Sequence, residues 1–477
     1  MLSSCMFLNE NSTSSHCFSE SSYIFPLVFH SHLIYYKRRT EEHLNISSCI
    51  SFPKSNRGTM SSSSNDEVYE VFEEMVDEQI DDFMDSVIAN DPKRRGYIER
   101  DREQGHNQLW HDYFSENPTY PPEMFRRCFR MNKPLFLRIV ERLNNEVPYF
   151  QQRRNGHGRC GLSALQKCTS AIRMLAYGKA GDANDEYLRL AASTALLCLE
   201  NFTDAIILLF GGEYLRRPTP EDLQRLLDAG EARGFPDMIG SIDCMHWEWK
   251  NCPTAWKGQY TRGSGKPTIV LEAVASQDLW IWHSFFGLPG TLNDINVLDR
   301  SPVFDDILQG RAPKVKFKVN NHTYRMAYYL TDGIYPNWAT FIQSIKLPQG
   351  PKAELFAERQ ESTRKDVERA FGVLQSRFAI VKNPALLWDK EKIGKIMRTC
   401  VILHNMIVED ERHGYIQIDT SEFESGQSSR SSKVKSRESV NVPMLTIRNQ
   451  IRDPHLHERL KADLVENVWE KYGNHDE

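Results

Sequence analysis

Two apolar runs with the composition of β-strands each contain a single carboxylate. Asp243 interrupts the run 238–247, and Asp332 closes the run 326–331. A charge in a buried strand costs free energy unless it pairs with something positive. The chain must therefore fold so that each carboxylate either reaches solvent or holds a cation.

The order of the predicted elements indicates a mixed α/β domain. Apolar runs predict strands at 238–249, 267–277, 279–287 and 325–331, with helices near 293–308, 363–378 and 391–410. Three strands, a helix, a fourth strand and further helices are typical of a mixed α/β fold. Glu368 falls on the helix 363–378, whereas Pro336 and the turn 348–351 predict an irregular segment before it. We place this domain at 235–412.

A basic segment precedes that domain. From Arg126 to Lys179 the chain has twelve Lys or Arg and two acidic residues. Helices predicted at 134–145, 162–177 and 193–210, the last capped by Ser193 or Thr194, resemble a helix-turn-helix unit. We place a DNA-binding region at 126–234, because clustered cations attract phosphates, although a solvated charged surface explains the pattern nearly as well.

The remaining segments are of lower complexity. Residues 1–65 are predicted to be a disordered extension, and their first 59 residues suggest an upstream start ahead of Met60. An acidic amphipathic helix at 66–85 opens the segment 66–125 and either packs on the next domain or docks a basic partner. The segment 413–477 contains a flexible Ser-rich linker and a last helix with Leu456, Leu460, Leu464 and Val468 on one face.

Composition excludes several classes of protein. The net charge is -5, and the ten cysteines form no Cys-x-x-Cys pair, which argues against a zinc module or a disulfide framework. Glu200, Asn201 and Asp204 interrupt the most apolar segment, so no run reaches the roughly 20 apolar residues of a membrane helix. The pattern therefore favours a soluble protein without a membrane partner.

Asp243, Asp332 and Glu368 can be interpreted as ligands of a divalent metal. Phosphodiester cleavage uses metal ions that activate an oxygen nucleophile, and Mg²⁺ prefers carboxylate oxygens. Each acid also has an ordinary structural reading, as a turn former, a helix cap or, for Glu368 beside Arg364, a surface ion pair. Asp294 would ordinarily begin a helix, and we interpret His246 as structural because it faces away from Asp243 on an alternating strand.

Four passages carry a family resemblance. Residues 241–253, 285–298, 329–336 and 367–378 are similar to plant Harbinger-type transposases and the nucleases derived from them. The resemblance implies a ribonuclease-H-like catalytic fold, preceded by a small helix-turn-helix domain, that cuts DNA with Mg²⁺ or Mn²⁺. By matching motif it implies that Asp243, Asp332 and Glu368 are the catalytic triad, and that Asp294 is a fourth carboxylate at or near the metal.

Further expectations follow from the resemblance alone. The family implies a nuclear protein whose partners are DNA and a separate Myb-like accessory protein, and it leaves the oligomeric state open. One segment departs from the family pattern: residues 191–199 offer only Ser193 and Thr194 as hydrogen-bonding side chains for base edges. Two functions therefore remain, an active metal-dependent nuclease or transposase, and a domesticated chromatin or transcription protein that keeps the fold as a scaffold.

Overall fold

The computed structural model describes residues 99–156, 158–263, 265–305, 315–416 and 451–473. The chain divides into two units, residues 1–97 and 98–477, and every described residue belongs to the second. The predictions for residues 1–65, for the acidic helix 66–85 and for the linker 419–440 lie outside the described residues.

Helices occupy the amino-terminal part of the second unit. They are α1 (Arg102–Leu109, continued by a π-helical turn Trp110–Phe114), α2 (Pro122–Phe129), α3 (Lys133–Glu146), α4 (Ala164–Tyr177), α5 (Asp185–Leu188), α6 (Ala192–Tyr214) and α7 (Pro220–Ala232). A capping box of Ser163 and Gln166 begins α4. The three helices predicted here are confirmed within a few residues at either end. The predicted cap of α6 is wrong, because the N-cap is Ala191 and makes no side-chain hydrogen bond.

Helix α6 is more apolar than the sequence analysis allowed. In the described part of the chain it is the one helix long and apolar enough to cross a membrane by length and composition alone. A core helix passes the same test, and α6 buries Phe202, Ile206 and Phe210. Its backbone also accepts hydrogen bonds from helix α13 (Lys390–Ile416), from Thr399 to the Thr203 carbonyl at 3.3 Å and from Asn405 to the Tyr214 carbonyl at 2.8 Å.

A five-stranded mixed sheet forms the centre of the fold. Its strands are β1 (Met238–Glu248), β2 (Thr268–Ala275), β3 (Ile281–Pro289), β6 (Tyr328–Thr331) and β7 (Phe341–Gln343), and a separate hairpin contains β4 (Phe317–Val319) and β5 (His322–Tyr324). The order is β3-β2-β1-β6-β7, with β1 to β3 antiparallel and β1, β6 and β7 parallel. The four predicted strands are confirmed, and the mixed α/β class with a preceding helical region is observed.

Further helices surround the sheet. They are α8 (Thr254–Tyr260), α9 (Asp294–Leu298), α10 (Pro351–Arg364), α11 (Asp366–Arg377), α12 (Ala379–Lys382), α13 and α14 (Pro454–Tyr472). The predicted helix 293–308 begins as expected but ends at Leu298, before a 3-10 turn at Pro302–Phe304. The segment between Asp332 and Glu368 was expected to be irregular, and this is wrong, because it contains β7 and α10.

Apolar clusters join these elements. The largest includes Phe136 of α3, Ile206 of α6, Leu271 of β2 and Val401 of α13, so the helical part and the sheet share one core. A second cluster buries Leu460, Leu464 and Val468, the face predicted for the last helix. Burial of such side chains is worth about 1.5–3 kcal/mol each, so α14 is held firmly against the sheet.

Candidate metal-binding carboxylate site

The parallel pairing of β1 with β6 brings two of the predicted acids to one level of the sheet. Ser241 pairs with Leu330. Continuing this register by two residues sets Asp243 opposite Asp332, the first residue after β6. Residues level on adjacent parallel strands share a face, so both carboxylates lie on the same side. One oxygen of Asp332 accepts the Ile334 backbone N–H at 2.8 Å, which fixes its orientation.

Arg364 connects Asp243 to the third predicted acid. Its Nη1 atom lies 3.3 Å from Oδ2 of Asp243 and 2.8 Å from Oε1 of Glu368. Arg364 is the last residue of α10 and Glu368 lies in the first turn of α11, so the junction of two helices directs both side chains to β1. The side chains of Asp243 and Arg364 are only 18% and 15% exposed, against 44% for Glu368. One guanidinium group therefore stands between two of the three acids.

Asp243 is held in an environment that resists its negative charge. Its pKa is raised to about 6, chiefly by burial and also by the charges of Asp332 and Asp294, while the Cys244 backbone N–H and Arg364 oppose the shift. The N–H of Cys244 donates to Oδ1 at 2.8 Å. A buried carboxylate with acidic neighbours favours a cation as its partner.

Asp294 approaches from the opposite face of β1. It is the first residue of α9, after the N-cap Asn293, and its carboxylate accepts a hydrogen bond from the thiol of Cys244. Successive residues of a strand face opposite ways, so Cys244 and Asp294 lie on the other side from Asp243. Burial raises the pKa of Asp294, and the charge of Asp332 raises it further. The structure thus places Asp294 close enough to interact with the other acids but on a separate face.

A fifth acid was missed by the sequence analysis. Glu272 of β2 pairs with Cys244 across the strands and is fully buried. One carboxylate oxygen lies 3.3 Å from Nε2 of His283, while the other has no hydrogen-bond partner in the part of the chain that is described. The signal that singled out Asp243, one acid in an apolar strand, was present here too: β2 reads Thr-Ile-Val-Leu-Glu-Ala-Val-Ala.

Carboxylates are suitable ligands for a hard divalent cation, but in this structure the acids do not surround a common point. Among the described residues, no three His, Cys, Asp or Glu side chains are placed to hold a metal ion. Carboxylates at the level of Asp243 and Asp332 are the donors that Mg²⁺ prefers, and Glu368 shares a cation with Asp243. His246 takes no part, since its ring nitrogens contact Thr268 Oγ1 at 3.2 Å and Arg262 at 2.7 Å. In this arrangement the cation between Asp243 and Glu368 is the guanidinium group of Arg364.

The sheet and the four motif-bearing acids lie inside a segment with a known family pattern. Residues 212–415 match the model of the plant transposon protein family. The chain is therefore similar to this family over the segment that contains the sheet and the four acids. Residues 105–144 match a second model, a domain of unknown function (DUF8418).

Curated relatives of this chain are distant. Protein ALP1-like of Arabidopsis thaliana is 26% identical over 183 residues, which is 37% of this chain and 45% of the relative. The protein named Putative nuclease HARBI1, from Bos taurus and from Homo sapiens, is 25% identical over 217 residues, which is 44% of this chain and 58% of the relative. The chain thus spans about half the length of the curated relatives it matches. No solved structure matches it significantly.

Proposed function

We propose that this protein is a divalent-metal-dependent DNA endonuclease of the transposase type. The observation that carries the proposal is the β1–β6 register, which sets Asp243 level with Asp332 while Glu368 shares Arg364 with Asp243. Three antiparallel strands followed by two parallel strands support a ribonuclease-H-like arrangement. The name of the HARBI1 relatives, a nuclease, agrees with this chemistry.

The residues have separate roles in this proposal. Asp243, Asp332 and Glu368 would hold Mg²⁺ or Mn²⁺, and Asp294 would add negative charge from the opposite face. The bound metal would supply a Lewis acid that activates water and stabilises the charge that develops on the phosphodiester. Burial of Asp243 excludes water from one side of the site and strengthens its attraction for a cation. Arg364, once released, is positioned to contact a DNA phosphate, since Arg binds phosphate oxygens in pairs.

The test is cleavage of DNA that carries candidate terminal repeats, with Mg²⁺ or Mn²⁺ and with a Myb-like accessory protein present. Wild type should cut, and Asp332→Asn should lose at least about a hundredfold in rate, because removing one oxygen ligand weakens metal binding and charge stabilisation. Asp228→Asn, which changes an exposed acid of α7, is the matched control and should cut normally. Equal rates for wild type and Asp332→Asn would refute the proposal.

One observation favours a second candidate, a non-cutting scaffold protein. Arg364 already balances Asp243 and Glu368, and a site neutralised by its own cation has less need of a metal. In that case wild type should bind DNA but take up no Mn²⁺, even when DNA is present. Titration of the DNA complex with Mn²⁺, monitored by the electron paramagnetic resonance signal of free Mn²⁺, distinguishes the two candidates by whether the metal is bound. For either candidate function we propose that the protein is located in the nucleus, and the localisation of a fluorescent fusion tests this.

A further inference from the structure

We propose that an exposed surface of tryptophans and cations beside the carboxylate site stacks on unpaired bases of DNA. We call it the Trp256–Trp388 surface, and it consists of residues 249–263, 265–266 and 382–390. The inference rests on the proposed nuclease function and adds a substrate class to it, namely DNA with bases displaced from the duplex. It depends on four observations: the packing that holds the two segments together, the exposure of their apolar side chains, the charge of the surface and its position in the fold.

The two halves of the surface share one rigid support. Trp249 is fully buried, and its Nε1–H donates to the Leu387 carbonyl at 2.7 Å. Its ring centroid lies 6.0 Å from that of Trp256 on α8. The Lys250 N–H also donates to the Ala385 carbonyl at 3.0 Å. Because Trp249 contacts both segments, α8 and the loop before α13 are held as neighbours.

Large apolar side chains of this surface remain in solvent. Trp388 is 75% exposed, Leu386 is 56% exposed and Trp256 is 43% exposed. Isolated exposed apolar residues are common, but two tryptophans and a leucine on neighbouring segments make a patch that marks a binding site. Every nucleobase offers a flat face on which an indole ring can stack, so tryptophan suits displaced bases of any sequence.

Charge selects nucleic acid as the occupant. Residues 249–266 contain Lys250, Lys257, Arg262 and Lys266 and no Asp or Glu. Residues 382–390 contain two lysines and one acid, Asp389, whose carboxylate accepts the Glu391 backbone N–H at 2.8 Å. Among the described residues, Lys250 and Lys257 are exposed and have no carboxylate within 4.0 Å. Lysines that lack acidic partners attract phosphates, and aromatic rings between them receive the bases, which is the combination found in grooves for single strands.

The position of the surface ties it to Asp294. Thr291, three residues before Asp294, donates its hydroxyl to the Gln259 carbonyl of α8 at 2.7 Å. Arg262 contacts His246 of β1 at 2.7 Å, and its charge also acts on Asp294. The surface therefore lies beside Asp294, on the face of β1 opposite Asp243.

The test compares the binding of two DNA probes in EDTA, where no cutting occurs. One is a blunt duplex, and the other is the same duplex with a short overhang that contains a fluorescent adenine analogue. Wild type should bind the overhang probe about tenfold more tightly and quench the analogue, since base stacking on aromatic side chains contributes at this scale. Trp388→Leu and Trp256→Leu should lose the preference and the quenching, whereas Trp388→Phe should keep both.

Controls distinguish a loss of base stacking from a loss of folding. They also distinguish failure of this inference from failure of the nuclease proposal. Leu347→Ala changes an 82% exposed apolar residue outside the surface and should behave as wild type. Circular dichroism melting checks that each variant folds. Equal or absent binding of the two probes by wild type, or unchanged preference in the Leu variants, would overturn the inference, as would Trp-dependent binding of an acidic polypeptide in place of DNA. Failure of wild type to cut with Mg²⁺ or Mn²⁺, when the overhang preference is intact, would instead overturn the nuclease function.

Discussion

The Nη1 atom of Arg364 lies 3.3 Å from Oδ2 of Asp243, where the proposed site requires a divalent cation. The guanidinium group acts as a counterion for a carboxylate whose pKa burial has raised to about 6. Removing one partner of a buried pair leaves the other uncompensated, so the acids need Arg364 whenever no metal is bound. Metal binding and withdrawal of Arg364 should therefore be linked.

The first prediction is that Arg364→Gln strengthens metal binding in the absence of DNA. Mn²⁺ competes with Arg364 for Asp243 and Glu368, and Gln removes the competing charge. The dissociation constant for Mn²⁺, measured by calorimetry, should fall by about tenfold, which corresponds to about 1.4 kcal/mol. The same variant should be less stable than wild type when Mn²⁺ is absent.

A neighbouring cation provides the control for this prediction. Lys365→Gln removes the same charge one residue away, and Lys365 is exposed and forms no ion pair within the described part of the chain. Its Mn²⁺ affinity should match that of wild type. An equal gain in both variants would mean that general electrostatics, and not displacement of Arg364, sets the affinity.

A second prediction concerns the backbone that positions Asp243. Gly240 has φ +152°, and an added Cβ would lie 2.8 Å from the Ala275 carbonyl oxygen and 3.1 Å from Cγ1 of Val274. Gly240→Ala should therefore destabilise the fold by about 1–3 kcal/mol, as overpacking usually does. It should also slow cleavage, because the backbone of β1 must move at position 240, which lies only three residues before Asp243. Urea unfolding and cleavage rates measure the two effects.

Gly212 offers a matched control for that change. It lies inside α6 and nothing stands within 4 Å of an added Cβ. Gly212→Ala should leave cleavage unchanged and should stabilise α6 slightly, because alanine favours helix by about 1 kcal/mol. Equal destabilisation by the two substitutions would contradict the role assigned to Gly240.

The sheet could be predicted because its strands are long apolar runs with few interruptions. The association of Asp243 with β1 and of Asp332 with the end of β6 also followed, since both acids mark such runs, whereas their common level depends on the observed pairing of β1 with β6. Strand β7 could not be predicted, because three residues, Phe341–Gln343, carry no periodicity. The position of Arg364 depends on a tertiary fold that brings the α10–α11 junction against β1, and no local pattern encodes it.

Helix α10 was missed for a different physical reason. Its buried positions are Phe356, Gln360 and Thr363, so its inner face is largely polar. Gln360 donates hydrogen bonds to the carbonyls of Thr331 at 3.0 Å and Ile342 at 2.9 Å, which bind α10 to β6 and β7. An apolar stripe is the main sign of a helix in a sequence, and hydrogen bonds to a sheet leave no such sign.

A third prediction is that Asp237→Asn stabilises the protein above neutral pH. Asp237 is buried, one of its oxygens has no hydrogen-bond partner among the described residues, and burial raises its pKa to about 7, with Glu231 adding to the shift. The charge therefore costs stability as pH rises from about 4, the pKa of an unfolded Asp, to about 7, and the full cost is present above that. Asparagine keeps the shape and suits the φ of +61°.

The expected gain for Asp237→Asn is about 1–3 kcal/mol at pH 8 and close to zero at pH 4. Urea unfolding of variant and wild type at both pH values measures it. Asp228→Asn, an exposed acid on α7, should show little change at either pH. A gain that is equal at pH 4 and pH 8 would show that the charge of Asp237 is not its cause.

The fourth prediction is that His404 makes the fold sensitive to acid. His404 is fully buried in α13, and its pKa is lowered to about 3, chiefly by burial and also by the charge of Arg377. Nε2–H donates to the Leu279 carbonyl at 2.8 Å, and Nδ1 accepts from Arg377 at 3.2 Å, so the contact with Arg377 requires the neutral ring. A lowered pKa means that stability is complete above about 6.5, the pKa of an unfolded His, and falls as pH drops towards 3.

His404 should therefore contribute a loss of up to about 1.4 kcal/mol per pH unit between pH 6 and pH 4. His404→Gln should be less stable than wild type at pH 7.5 by about 1–3 kcal/mol, because two buried hydrogen bonds are disturbed. The difference between the two proteins should shrink as pH falls, since Gln does not titrate. Urea unfolding from pH 7.5 to pH 4.5 measures this convergence, and parallel curves would mean that acid sensitivity arises elsewhere.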